Sequence, residues 1–404
     1  MGTPEYGSTF FPAAWSAPPR DKSTTPHSAL EPSQHLHRAV GEMDNIPSNT
    51  LELRQKADDN TSYRELILRL GTRLSEPKVR CRRALESGAR LTYATRFRMA
   101  FSSSRSLAML DFGRHARTPT LDIAYADSGP ADGPVVLLIH GWPDAARAWN
   151  AVALRLNEAG YRTIVPELRG AGGTRFLRDD TVRDGSGVAL ANDAVDLADA
   201  LGIAQFDVVG HDWGARAAYT IAALFPDRVR RMAALALAYQ PRGVFELPDF
   251  SQARRFWYQW FMSLDGGPDA VAADPKGFAR IQWETWSPPG WFDEIEFAAT
   301  ARAFENPDWV PITLNAYRRR WRSDQPSDPA LAELYARLAT IERIDVPALM
   351  IQGGADSCDE PASSEGQDKY FPAGYRRVVI DGAGHFPLRE APDAVANAVI
   401  AHLK

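Results

Sequence analysis

The chain has 404 residues, 45% hydrophobic and 24% charged, the balance of a globular protein with room for one large α/β domain or two ordinary ones. No stretch approaches the roughly 18–20 apolar residues of a membrane span. The only two cysteines, Cys81 and Cys358, exclude a disulfide scaffold and a cysteine-cluster metal site and fit a reducing, cytoplasmic setting, while a net charge of −5 argues against nucleic acid as a partner.

Residues 1–110 carry a net charge of +5 and the remainder −10. Ten of the eleven tryptophans follow residue 140, and seven fall between 257 and 321. Two parts of different character therefore meet near residue 110. Residues 1–50 are rich in Pro, Ser, Thr and His, and such a segment buries too little apolar surface to offset its ordering entropy. Leu66, Ile67, Leu70 and Leu74 share one face of a short predicted helix over 61–74. Residues 79–109 are rich in Arg and Ser, and the first residues lack the charged and apolar regions of a secretory signal. The expectation for 1–110 is a disordered, basic extension without chemistry, with Met99 or Met109 as candidate natural starts.

From residue 111 strands and helices alternate. Strands are predicted at 121–126, 135–139, 163–165, 206–209, 231–238, 347–352 and 376–380. Helices are predicted at 146–159, 187–200, 213–224 and 391–403. This alternation predicts an α/β domain with a mostly parallel sheet covered by helices on both faces. Residues 240–325 interrupt it with Trp, Phe, Tyr, Pro and Arg and no clear strand, which reads as a helical lid inserted into a core of 111–239 and 326–404.

Four turns carry the chemistry. In Gly210-His211-Asp212-Trp213-Gly214 a strand gives way to a helix through a tight turn that lifts Asp212 out of the sheet, the position of a nucleophile. In His140-Gly141-Trp142-Pro143 another strand end presents the backbone N–H of Trp142, which with that of Trp213 makes a candidate oxyanion hole. In Gly382-Ala383-Gly384-His385 a histidine follows a late strand among small residues, as a general base in a crowded site requires. Asp356 follows the strand that ends near Gly353 and is the candidate to orient His385, with Asp359 close enough to compete. His140 and His211 read as structural, and no spacing points to a metal.

With nucleophile, acid and base in the order Asp212, Asp356, His385, residues 111–404 resemble the α/β-hydrolase fold, in the branch with an aspartate nucleophile: the epoxide hydrolases and haloalkane dehalogenases. A carboxylate attacking an acyl group gives an anhydride and gains nothing, whereas attack on saturated carbon gives an alkyl ester that water can cleave. The substrate expected is therefore a small-molecule epoxide or alkyl halide, with water as co-substrate and no cofactor. In epoxide hydrolases two lid tyrosines hold the epoxide oxygen and deliver a proton, and the contexts of Tyr258 (Trp257-Tyr258-Gln259) and Tyr317 (Asn315-Ala316-Tyr317-Arg318) match them.

The resemblance thus implies epoxide opening to a vicinal diol through an ester on Asp212, with Trp142, Trp213 and Trp257 as substrate-contacting aromatics. Dehalogenation with the same triad, and Trp213 as halide donor, is the first alternative. A non-catalytic ligand-binding protein on this fold is the second. Two features depart from the pattern: Pro166-Glu167-Leu168-Arg169-Gly170 where the fold usually has Pro-Asp-x-Arg-Gly, and a Trp-rich stretch at 283–309 that is longer than in well-known lids. Glu167 is expected to pair with Arg169 or nearby backbone, and Arg318–Arg320 with Arg322 to form a solvated helix face.

Overall fold

The computed structural model describes residues 109–404. The expectations for 1–108, including the disordered extension, the helix at 61–74 and Cys81, lie outside them.

Nine strands form one sheet in the order β1-β2-β4-β3-β6-β7-β8-β9, with β5 paired to β2. The strands are β1 (Arg114–Arg117), β2 (Leu121–Ser128), β3 (Val135–Ile139), β4 (Arg162–Pro166), β5 (Arg175–Phe176), β6 (Phe206–His211), β7 (Val229–Leu235), β8 (Ala348–Gly353) and β9 (Tyr375–Ile380). From β4 to β9 all pairings are parallel, and β2 pairs antiparallel with its neighbours β1, β4 and β5. The continuous apolar run of β3 is what a strand covered on both faces requires, and all of β6 is buried as well.

Two groups of helices cover the sheet. Helix α1 (Asn150–Glu158) packs with the last helix of the chain, Pro392–Leu403, and α2 (Gly187–Ala200) packs with α3 (Trp213–Leu224). Ser186 caps α2 by accepting from the Ala189 N–H. The predicted helix at 146–159 divides into a 3₁₀ turn, Ala146–Trp149, and α1. The predicted strand at 231–238 starts earlier and stops at Leu235, because Ala236 turns the chain out of the sheet at φ 70°. The antiparallel edge strands β1 and β5 and the helix Ala332–Leu338 carry too little hydrophobic pattern to be read in advance.

Between β7 and β8 the chain runs through short helices: α4 (Phe250–Arg255), α5 (Trp257–Ser263), α6 (Gly267–Ala273), α7 (Pro275–Thr285), α8 (Glu294–Ala301) and α9 (Trp309–Arg318). Asp249, Asp274 and Asp293 cap α4, α7 and α8 by accepting backbone N–H groups in the first turn. The aromatic residues of this segment meet the core around Trp142, whose ring lies 5.8 Å from Tyr258, 5.0 Å from Tyr317, 6.1 Å from Trp213 and 5.9 Å from Trp309. Each such pair adds about 0.5–1.5 kcal/mol beyond burial alone, so the segment is held over the C-terminal ends of β3 and β6 by ring packing.

Candidate active site

Open α/β sheets present their ligand sites at the carboxyl ends of the parallel strands. His140 follows β3, Asp212 follows β6, Asp356 lies just past β8 and His385 just past β9, all four at that edge. Asp212 sits at φ 50° and ψ −112°, a region a side chain other than glycine's occupies only under constraint. Two close approaches fix that turn. A Cβ on Gly210 would stand 1.9 Å from the Gly214 carbonyl oxygen, and one on Gly214 would stand 2.0 Å from that of Ile139. The glycines thus let α3 start directly on top of β3 and β6, with the Asp212 side chain at its N-terminal end.

Around that side chain the structure assembles a polar cluster. The Trp142 N–H donates to Asp212 Oδ1 at 2.7 Å. His385 Nε2 lies 3.6 Å from Asp212 Oδ2 and has no hydrogen-bond partner among the described residues. His385 Nδ1 donates to Asp356 Oδ2 at 2.9 Å. The other oxygen of Asp356 accepts the N–H groups of Cys358 at 2.8 Å and Asp359 at 3.1 Å, which fix the carboxylate plane. Of the two candidate carboxylates, Asp356 bonds the His385 ring, and Asp359 contributes its backbone N–H to Asp356. All of Asp212, Asp356 and His385 are buried.

Burial works against charge on Asp212, but His385, His211 and the Trp142 N–H outweigh it and hold the carboxyl below its ordinary range. Burial also opposes a charged His385, yet Asp356 and Asp212 together push its pKa up to about 10. His211 donates from Nε2 to the His385 carbonyl oxygen at 2.7 Å, and burial, reinforced by the neighbouring imidazolium, pushes its pKa down to about 4. It is a neutral strut under the loop that carries His385. His140 has a similar structural place, its Nε2 accepting the Leu168 N–H at 3.1 Å.

Tyr258, from α5, and Tyr317, from α9, are both buried, and their rings meet edge to face at 5.2 Å. Tyr317 Oη accepts the indole N–H of Trp213 at 3.1 Å, and Tyr258 Oη accepts from Gln259 Nε2 at 2.9 Å. Burial first, then the charge of Asp212, raises the Tyr317 phenol well above its ordinary pKa; burial, Cys358 and Tyr317 do the same for Tyr258. Both stay neutral and protonated across the ordinary pH range.

Two expectations, for Trp257 and for the arginine face, are corrected. Trp257 is 37% exposed and packs on Phe261 and Phe278, reaching the site only through the edge of Tyr258; adjacent helical residues point about 100° apart, so with Tyr258 turned inward Trp257 turns away. Of the two partners expected for Glu167, it takes backbone: its carboxylate accepts the Ala146 N–H at 3.2 Å and lies 3.4 Å from His140 Nε2, while Arg169 is bidentate to Asp193. Arg319 is ion-paired with Asp184, and Arg320 lies over the Tyr317 ring rather than on a solvated face.

The indole N–H groups of Trp213 and Trp142 are both engaged, with Tyr317 Oη and Thr313 Oγ1. Sequence reasoning missed the supports of His385. Its N–H donates to Ser287 Oγ at 2.9 Å, and the ring lies edge-on to Trp286 at 4.8 Å. Glu390 collects the N–H groups of Gly384 and Phe386 and the Ser287 hydroxyl, clamping the loop. No sequence motif marks Ser287, because it meets His385 and Glu390 from about a hundred residues away in the chain. Among the described residues no cluster of His, Cys, Asp or Glu could hold a metal ion, and no helix is long and apolar enough to cross a membrane.

Residues 134–392 match the family of the alpha/beta hydrolase fold. Among curated proteins, epoxide hydrolase 3 of Siraitia grosvenorii is 41% identical, the match covering 65% of this chain and 89% of that protein. Epoxide hydrolase A of Mycobacterium tuberculosis is 28% identical, covering 69% and 92%. A solved structure from Klebsiella pneumoniae, provisionally titled an epoxide hydrolase, is 37% identical with a TM-score of 0.67, covering 74% of this chain and 99% of that one. The chain belongs to the α/β-hydrolase fold family, and within it is an epoxide-hydrolase-like enzyme.

Proposed function

We propose that the protein opens epoxides to vicinal diols through a covalent alkyl ester on Asp212, under a lid formed by the helices between β7 and β8. One observation carries the reading. Each of the two buried tyrosine hydroxyls accepts an N–H, Tyr317 from Trp213 and Tyr258 from Gln259, so each has its own proton free to give. Tyr258 has one further contact, 3.8 Å to Cys358 Sγ, too weak to hold that proton. Two phenol protons beside a carboxylate are what ring opening asks for, because the leaving oxygen develops as an alkoxide. A halide leaves without a proton, and the indoles that would hold it are already engaged.

In the first step Asp212 Oδ2 forms a bond to an epoxide carbon, the C–O bond breaks, and one of Tyr258 and Tyr317 gives its proton to the departing oxygen while the other donates a hydrogen bond to it. The ester has no charge, so one of the two carboxylates that raised the His385 pKa is gone. His385 then gives up its extra proton, which restores the tyrosine. As a neutral base it takes a proton from water, whose oxygen attacks the ester carbonyl carbon. The N–H groups of Trp142 and Trp213 hold the resulting oxyanion, the first already placed on the Asp212 carboxyl, the second at the start of α3 where an N–H has no helical acceptor. Collapse releases the diol and returns Asp212 as a carboxylate beside a protonated His385.

The test is turnover of purified protein on two panels, epoxides read as diol and haloalkanes or haloacids read as free halide, with Asp212→Asn as control. Diol without halide, lost in the variant, is expected. Halide without diol would assign the chemistry to dehalogenation, and tight ligand binding without either product would make the chain a binding protein.

A further inference from the structure

A cavity of about 230 Å³ opens beside the site, walled by Trp213 from one side and by Phe245, Arg216 and Arg320 from the other. Four arginines line it. Arg319 is ion-paired with Asp184 and Arg242 with Glu342. Arg216 and Arg320 have no carboxylate partner among the described residues. Arg216 donates to Gln240 Oε1 at 2.8 Å and Arg320 to Gln259 Oε1 at 3.3 Å, both neutral amides, and the Nε of each is buried without a partner. The two guanidinium groups lie over the same ring, each 4.6 Å from the centre of Phe245. Both side chains are half-buried, and cations withdrawn from water are ordinarily paired. Burial and the nearby Arg320 charge, only partly offset by Asp212 and Asp359, push the Arg216 pKa down to about 10, still charged at neutral pH.

Their placement ties them to the chemistry. Arg216 follows Asp212 by four residues, its N–H donating to the Asp212 carbonyl oxygen at 3.1 Å, so the two share a face of α3 one turn, about 6 Å, apart. Arg320 follows Tyr317 by three residues, and its guanidinium lies 4.4 Å from the centre of that ring. Each unpaired arginine is thus one turn along from a residue assigned to ring opening, and both turn into the same cavity.

We propose that this cavity is an anion site, in which Arg216 and Arg320 hold the carboxylate of an epoxide substrate whose reactive end is directed toward Tyr317 and Asp212. The substrate class, resting on the epoxide reading above, is an epoxide carried on an acid with an apolar body. Guanidinium groups match a carboxylate with paired, charge-assisted hydrogen bonds, and Trp213, Phe245 and Leu338 supply apolar walls for the rest of the molecule. Without its anion the site holds two like charges against one ring, which the ligand would relieve.

The test uses the full chain and an unreactive matched pair, hexanoate and hexanamide, titrated calorimetrically. Hexanoate is expected to bind at least about tenfold tighter than the amide, and Arg216→Met or Arg320→Met to bring the ratio within threefold. Equal affinities in the unmodified protein, or a ratio that neither substitution moves, would overturn the assignment. If Arg216→Met does not fold, Arg320→Met decides alone. A second arm compares diol formation from an epoxy acid and its amide. Hexanoate preference without diol from either would retain the anion site and refute the epoxide reading; diol from both at equal kcat/KM would retain the epoxide reading and refute the acid as its substrate.

Discussion

His385 and Asp212 stand 3.6 Å apart through Nε2 and Oδ2, near enough for each charge to stabilise the other and too far for a hydrogen bond. On its other edge His385 is hydrogen-bonded to Asp356 at 2.9 Å. The imidazole is therefore held by one carboxylate and only polarised by the other. On the proposed mechanism, alkylation of Asp212 would remove the second influence and leave the first, converting the ring from a stored proton to a base without moving it.

That arrangement sets a pH dependence of stability. The folded protein holds the His385 proton up to about pH 10, whereas an unfolded chain releases it near 6.5. The contribution is complete below 6.5 and is lost as pH rises toward 10. The unfolding temperature measured from pH 6.5 to 9.5 is expected to fall, and His385→Gln to flatten that slope. An unchanged slope in the variant would show that His385 is neutral in the resting protein.

Asp356, buried, and Asp359, half-buried, are three residues apart near the same histidine, yet only Asp356 bonds its ring. Asp356→Asn should lower kcat by about 10³–10⁴-fold, as loss of the tautomer-fixing carboxylate does elsewhere, and Asp359→Asn by less than about tenfold on the same scale. The reverse order in steady-state assays would exchange their roles.

The tyrosine pair is separable from the triad. Tyr258→Phe together with Tyr317→Phe should cut epoxide opening by about 10²–10⁴-fold, the range of a positioned acid, while alkylation of Asp212 by an activated alkyl halide continues. Rapid-mixing mass spectrometry of the protein reads both. Full epoxide activity in the double variant would place the proton donor elsewhere.

Gly141 is packed against the nucleophile: a Cβ there would lie 2.5 Å from the Asp212 Cβ and 2.8 Å from the His211 carbonyl oxygen. Gly141→Ala should destabilise the fold by about 1–3 kcal/mol, the usual cost of overpacking, and lower kcat more than KM because Asp212 and the Trp142 N–H are displaced together. Denaturant unfolding with steady-state kinetics checks both; an alanine variant of unchanged stability and kcat would mean the turn yields freely.

The sheet and the meeting of Asp212, Asp356 and His385 at its edge were legible because they are written locally. β3 is a continuous apolar run, and the turns carrying Trp142, Asp212 and His385 follow strand ends with glycines that the close approaches require. What escaped is set by distance in the chain. Ser287, just past α7, reaches His385 and Glu390 from about a hundred residues away. Arg320 read as a solvent-facing charge because its sequence neighbours are charged, and its packing on Tyr317 and Phe245 brings it inward. Trp257 and Tyr258 are adjacent, and no pattern in an aromatic-rich stretch says which of them turns to the core.

If water attacks the carboxyl carbon of Asp212 rather than the substrate, a single turnover in ¹⁸O-labelled water labels the protein and not the product. With enzyme in excess over epoxide, unlabelled diol and one ¹⁸O in the peptide that contains Asp212 are expected. Labelled diol with an unlabelled peptide would contradict this attack and make Asp212 a base for direct hydrolysis.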